Sequence, residues 1–181
     1  MEEAMARESR KKSAARPQFK LASPDIRPNG PIALEQVFNG FGCSGQNISP
    51  ALKWSGAPAD TKSFALLVHD PDAPTGGAGW WHWVVVNIPA GATELAKDAG
   101  RADGSSLPMG AAQINTDFGG PGWGGPCPPV GDKPHRYNFT LYALKVDRLD
   151  VSGATASLAG YMVNANAVGK ARLTGKFGRK K

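Results

Sequence analysis

The chain has three histidines, His69, His82 and His135, and each lies at or beside the end of an apolar run. Asp70 closes SFALLVHD, His82 lies near the start of WHWVVVN, and His135 immediately precedes YNFTLYALKV, which begins with Tyr137 and Asn138. Alternate residues of a strand share a face. His135 and Tyr137 are therefore neighbours on one side, and Asp70 shares a face with Val68, Leu66 and Phe64. The same alternation puts His82 with Val84 and Val86, and Trp81, Trp83 and Val85 opposite. If the three runs are neighbours in a sheet, Asp70, His82, His135 and Tyr137 converge at one rim. Imidazole and phenol donors beside loop N–H groups bind anions. A carboxylate accepting from one histidine fixes its tautomer and leaves the other nitrogen aimed inward. Trp80, Trp81 and the nearby prolines supply the apolar walls that small-ligand sites need. The object expected is a small pocket for phosphate or a similar oxyanion with its organic substituent.

The same residues admit a second chemistry. Asp70 with His82 or His135 could act as a carboxylate–imidazole base in a hydrolase. Ser49 and Cys127 lie near motifs, but neither sits in a nucleophile pattern. A His/His/Asp metal site has suitable ligand types but not the short paired spacing of such sites. No metal and no cofactor is expected. His69 points away from Asp70 and is read as structural.

Two stiff loops must position this cluster. Eleven of the residues 119–134 are Gly or Pro, a composition that excludes a helix or a central strand. The second loop, 71–79, begins where Pro71 ends the Ser63–Asp70 run. Further strands are expected at Ile32–Phe38, Leu52–Trp54 and Trp81–Asn87, and Tyr137–Val146 is the last clear one. Residues 90–112 read as loop. Helical spacing of Leu158, Tyr161, Met162, Ala165 and Val168 predicts one helix over 156–171. With 23 Gly and 15 Pro in 181 residues, composition favours a β-rich fold.

Residues 1–18 read as a disordered basic arm, and 19–181 as a single domain. Six of the 21 basic residues lie in 1–20 and six in 170–181, leaving nine basic against twelve acidic residues between them. The positive charge thus belongs to the ends, which argues against a nucleic-acid-binding body. No apolar run is long enough to span a membrane. The N-terminus lacks the apolar core of a secretory signal, so a cytoplasmic location is expected. In that setting Cys43 and Cys127 are expected as free thiols, with a disulfide between two Gly-rich loops as the alternative.

The segments DPDAPTGGAGWWHWVVVNIPA (70–90) and GGPCPPVGDKPHRYNFTLYAL (124–144) resemble the phosphatidylethanolamine-binding protein family, in its bacterial branch often described as Raf-kinase-inhibitor-like. FGCSGQNISPALKW (41–54), LPMGAAQINTDFG (107–119) and ARLTGKFGR (171–179) extend the match over roughly residues 19–179. The resemblance implies a mainly β fold, with a large antiparallel sheet packed with a smaller one and a few short peripheral helices. It implies an anion pocket lined by Asp70, His82, His135 and Tyr137, with Asp72 and Trp80 in contacting or supporting positions and Pro129 as a loop wall. It implies a cis Ala73–Pro74 bond. It also implies a phosphate-bearing small molecule or lipid headgroup as ligand, a protein kinase or protease as regulated partner, and a homodimer. The end at Lys181 implies a more open site than in animal members.

Overall fold

In the computed structural model, residues 17–181 are described. Of the arm expected over 1–18, residues 1–16 lie outside them. Among the described residues, eight strands and one helix follow in the order β1 (Lys20–Ala22), β2 (Leu52–Ser55), β3 (Ser63–Asp70), β4 (Trp80–Pro89), β5 (Glu94–Leu95), β6 (Ala112–Gln113), β7 (His135–Leu144), α1 (Ala156–Asn166) and β8 (Ala167–Phe177). The fold is mainly β. A five-stranded antiparallel sheet runs β6-β4-β3-β7-β8, and a three-stranded antiparallel sheet runs β1-β2-β5.

The near-continuous apolar sequence of β3 is explained by cover on both faces of the large sheet. Phe64, Leu66 and Val68 point into a core shared with Leu21, Leu52 and Trp54 of the small sheet. Ala65 and Leu67 point the other way, into a second core closed by Ala156, Ala159 and Val163 of α1. Burying a side chain of this size contributes about 1.5–3 kcal/mol, so both faces of β3 hold it as the central strand. β7 continues the division, with Tyr137, Phe139 and Leu141 in the first core and Tyr142 and Leu144 in the second.

Three expectations are corrected here. Residues 32–38 form turns instead of a strand. Ile32 and Val37 are buried, and Gln36 N–H and Val37 N–H donate to the carbonyls of Ala33 and Leu34 in successive turns. The helix begins as expected, with Thr155 Oγ1 accepting from Leu158 N–H at 3.1 Å, an N-cap bond. It stops at Asn166, where β8 begins and pairs with β7 from Leu144↔Ala167 to His135↔Phe177. Alternating burial of Ala171 and Leu173, with exposed Lys170 and Arg172 between, is the period-two pattern that prevails over helical spacing. Residues 90–112, read as loop, contain the two-residue β5, and β6 starts at Ala112.

Candidate functional site

β3, β4 and β7 are adjacent, and their ends open on a cavity of about 260 Å³. Asp70, Trp80, His82, Pro129, His135 and Tyr137 all line it, together with Phe41, Ala73, Pro74, Thr75, Phe118, Cys127 and Pro128. Six of the seven residues singled out in the sequence thus meet at one place. Asp72 does not line the cavity. Its carboxylate accepts from Arg136 Nε at 3.0 Å, Nη2 at 2.8 Å and backbone N–H at 2.8 Å, pinning the 71–79 loop to the start of β7. Those guanidinium hydrogen bonds hold the Asp72 carboxyl down at about 2.

His82 reaches this side through an irregularity that alternation cannot foresee. Val68 pairs with Trp83, yet the next residue, His69, pairs with Trp81, so β4 carries one extra residue at this point. A β-bulge of this kind re-aims a side chain. Trp81 consequently packs against the core beneath α1 and does not line the cavity, whereas His82 joins the face of Trp83. Its ring lies 5.1 Å from that of Tyr137 and 5.4 Å from that of Phe118, both edge-on. The expected grouping of His82 with Val84 and Val86, and of Trp81 with the pocket walls, is thereby reversed. His69 is structural: its Nε2 lies 2.9 Å from the Ala78 carbonyl oxygen and its ring 4.4 Å from Trp81.

The hydrogen bonds of the site differ from a plain cluster of donors. His82 Nδ1 bonds to the Gly124 carbonyl oxygen, and Gly124 N–H donates back to the His82 carbonyl at 2.9 Å. A carbonyl only accepts, so Nδ1 carries the hydrogen and Nε2 of the neutral ring is a lone-pair acceptor. Burial, partly offset by the Gly124 carbonyl, holds the His82 pKa down at about 4. His135 Nδ1 lies 2.7 Å from Asp70 Oδ2, and Nε2 lies 2.9 Å from Asp132 Oδ2. The second nitrogen, expected to face a ligand, is therefore engaged by a carboxylate three residues upstream. Burial alone would lower the His135 pKa, but the hydrogen bonds to Asp70 and Asp132 outweigh it and raise it. The other Asp70 oxygen accepts from Asp72 N–H at 2.8 Å.

Tyr137 is 0% exposed, and its hydroxyl has no hydrogen-bond partner. Burial first, then the negative charges of Asp70 and Asp72, raise its pKa. Among these lining side chains it is the buried polar atom that the fold leaves without a partner.

The mouth is aromatic. Phe41 and Phe118 stack with centroids 5.9 Å apart, and Trp80 meets Phe118 edge-on at 5.6 Å. Phe41 is 69% exposed and has a positive φ of 53°, a backbone region that costs a bulky residue energy. The cysteines are joined as Cys43–Cys127 with Cα atoms 6.0 Å apart, which overturns the expectation of free thiols. The bridge fastens the loop of Phe41 to the Gly/Pro-rich loop at the cavity. The Ala73–Pro74 bond is trans, not cis. Asp132, Phe41, Phe118 and the Gly124 carbonyl were missed in the sequence. Asp132 lies in a quoted motif three residues before His135, and that spacing was its one available signal.

The scaffold is mainly β and carries a preformed cavity at the ends of three adjacent strands. The model of the phosphatidylethanolamine-binding protein family matches residues 22–178. The chain is 53% identical over 163 residues to the UPF0098 protein YbcL of Escherichia coli, covering 90% of this chain and 88% of that one. It is 45% identical over 160 residues to YbhB of the same organism, covering 88% and 99%. A Mycobacterium tuberculosis protein named putative lipoprotein LppC is 39% identical over 157 residues, covering 87% and 71%. The crystal structure of E. coli YbcL, described as a new member of the mammalian PEBP family, superimposes with a TM-score of 0.86 over 88% of this chain and 98% of that one. The chain belongs to the phosphatidylethanolamine-binding protein family.

Proposed function

We propose that the cavity binds a phosphoryl group and its organic substituent, and that the protein acts as a binding protein. The observation that carries this reading is the buried, unpartnered Tyr137 hydroxyl on the wall of a cavity that also holds Asp70, His82 and His135. Leaving such a group unsatisfied costs about 1–3 kcal/mol, a cost that a ligand oxygen removes. The cavity volume, about 260 Å³, suits a headgroup with a small substituent, and the aromatic rim suits an apolar attachment. A lipid headgroup and a phosphorylated small molecule share this chemistry.

The hydrolase alternative is not favoured. Cys127 is in a disulfide, Ser49 Oγ accepts from Gly100 N–H, and both His135 nitrogens are held by carboxylates. A cytoplasmic setting and the disulfide pull in opposite directions, because reducing compartments keep structural thiols reduced. Thiol alkylation in intact cells decides between them.

Titration with phenyl phosphate, followed by imidazole NMR shifts, tests the binding. The His82 signals should move at millimolar ligand. Tyr137→Phe should weaken the response while leaving the denaturation midpoint unchanged or higher, since it deletes a buried unsatisfied hydroxyl. Unmoved histidine signals across the titration would refute the proposal.

A further inference from the structure

Resting on the binding reading, we infer that the pocket selects an oxyanion that still carries a hydrogen: a phosphomonoester in its singly protonated form, in preference to a sulfate ester or a phosphodiester. The reason lies in which atoms the fold leaves free. Histidine sites usually bind anions by donating, but His82 has spent its donor on the Gly124 carbonyl and turns an acceptor to the cavity. His135 has spent both nitrogens on Asp70 and Asp132. Three backbone donors of the Gly-rich loop are also used: Gly124 N–H bonds to the His82 carbonyl, Gly125 N–H to Asn47 Oδ1, and Gly131 N–H to the Arg179 carbonyl. What remains inside the cavity is the His82 lone pair, the Tyr137 hydroxyl and the carboxylate side of Asp70, with the Trp80 indole N–H as a further donor at the aromatic mouth.

A fully ionised oxyanion placed there would set oxygen lone pairs against the lone pair of His82 and the charge of Asp70. A P–OH group removes the conflict. Its hydrogen is donated to His82 Nε2, and an unprotonated phosphoryl oxygen accepts from Tyr137 O–H. A sulfate ester or a phosphodiester has the charge and the acceptors but no hydrogen to give. A site built around an acceptor discriminates strongly against an analogue lacking the matching donor, because its own buried polar atom is left unpaired. The complex holds one proton between His82 and the ligand, so binding takes up a proton wherever the free ligand is a dianion.

Burial is the main cause of the neutral state of His82, and it outweighs the Gly124 and Gly125 backbone, which favours the charged ring. His69 and His135 disfavour a positive charge on it. Tyr137 and Phe118 contact it edge-on, and the Gly124 carbonyl fixes its tautomer. Arg136 pairs with the Asp72 carboxylate, Asp70 accepts from the Asp72 backbone N–H and pairs with His135 Nδ1, and Asp132 closes the far side of His135. His82 is therefore neutral in the free protein near neutral pH, and the hydrogen must come from the ligand or from solvent on binding.

The test is calorimetric titration of the intact protein with phenyl phosphate, phenyl sulfate and methyl phenyl phosphate between about pH 5.5 and 8. Phenyl phosphate affinity should be nearly constant below its second ionisation, at about pH 6, and fall roughly tenfold per pH unit above it. Titrations in buffers of different ionisation enthalpy should show uptake of close to one proton at the upper end of the range. The sulfate and the diester should bind at least about tenfold more weakly near pH 6. Equal affinity for the three esters, or a flat pH profile for phenyl phosphate, would overturn the inference while leaving phosphoryl binding intact. Failure of all three to bind would overturn the binding reading and this inference with it.

Discussion

His82 and His135 are both buried in the site, yet their environments push them in opposite directions. His82 is held neutral down to about pH 4, whereas an unfolded histidine takes up a proton near 6.5. Its folded pKa lies below the unfolded one, so stability is lost as the pH falls from about 6.5 toward 4. His135 has a raised folded pKa, so its contribution is complete below about pH 6.5 and is lost as the pH climbs through that raised value. The two slopes meet, and the denaturation midpoint should peak close to pH 6.5. Midpoints measured across about pH 4.5–8.5 check this. His135→Gln should flatten the alkaline limb and leave the acid limb in place. Asp132→Asn should shrink the alkaline limb, because one of the two carboxylates that raise His135 is gone. These protonation roles were not legible in the sequence. The convergence of Asp70, His82, His135 and Tyr137 was, because each lies at the edge of an apolar run. Which ring nitrogen is free depends on Gly124 and Asp132, whose contacts only the folded loop determines.

At the level of elements, the Gly/Pro-rich segment matters for how closely it lies against the chain. A methyl group on Gly125 would collide with the backbone carbonyl of Gln36, and one on Gly124 with the Phe118 ring. Gly125→Ala should therefore destabilise by about 1–3 kcal/mol, measured as a lower urea midpoint. Gly76→Ala offers a contrast, because no atom lies near its added carbon; its positive φ of 79° is the sole source of strain. β3 and β7 could be read from sequence because their apolar runs are long and each is bounded by a proline, Pro71 after β3 and Pro134 before β7. β8 could not, since Val168 and Ala165 fit helical spacing as well as a strand, and only β7's open edge settles the matter. Turns at 32–38 were hidden for a related reason: IALEQVF is apolar enough for a strand, but its carbonyls serve the cavity-side loops, with Gln36 O accepting from Trp123 Nε1 and Val37 O from Asn47 N–H.

For the molecule as a whole, the disulfide joins residues 84 apart in sequence and links the 39–45 loop to the cavity loop. A crosslink that restricts a long unfolded loop contributes about 2–4 kcal/mol. A Cys43→Ser/Cys127→Ser double variant should lose roughly that much, read from its chemical denaturation midpoint. The unreduced protein should yield no thiol to an alkylating reagent until it is unfolded with reductant. Family membership and the two-sheet architecture were legible from two long motifs, whereas the pairing of the cysteines was not: nothing in linear spacing brings two loops face to face. The cores explain why the site survives as a preformed space. Phe64, Leu66 and Val68 hold β3 from one side and α1 closes the other, so the strand ends that carry the cavity residues are fixed before any ligand arrives.

The extra residue in β4 bears on how sequences of this kind are compared. Strand alternation is a two-letter code, and the bulge between the Val68↔Trp83 and His69↔Trp81 pairs inserts a single symbol into it. Upstream of that point the meaning of odd and even is exchanged. An alignment gap placed anywhere among residues 80–83 would look like the loss of one position, yet it would swap the inner and outer assignments of every aligned residue before it. Two chains could share each cavity residue by identity and still differ in whether the histidine reaches the cavity, so in this segment the count of residues carries as much information as their types.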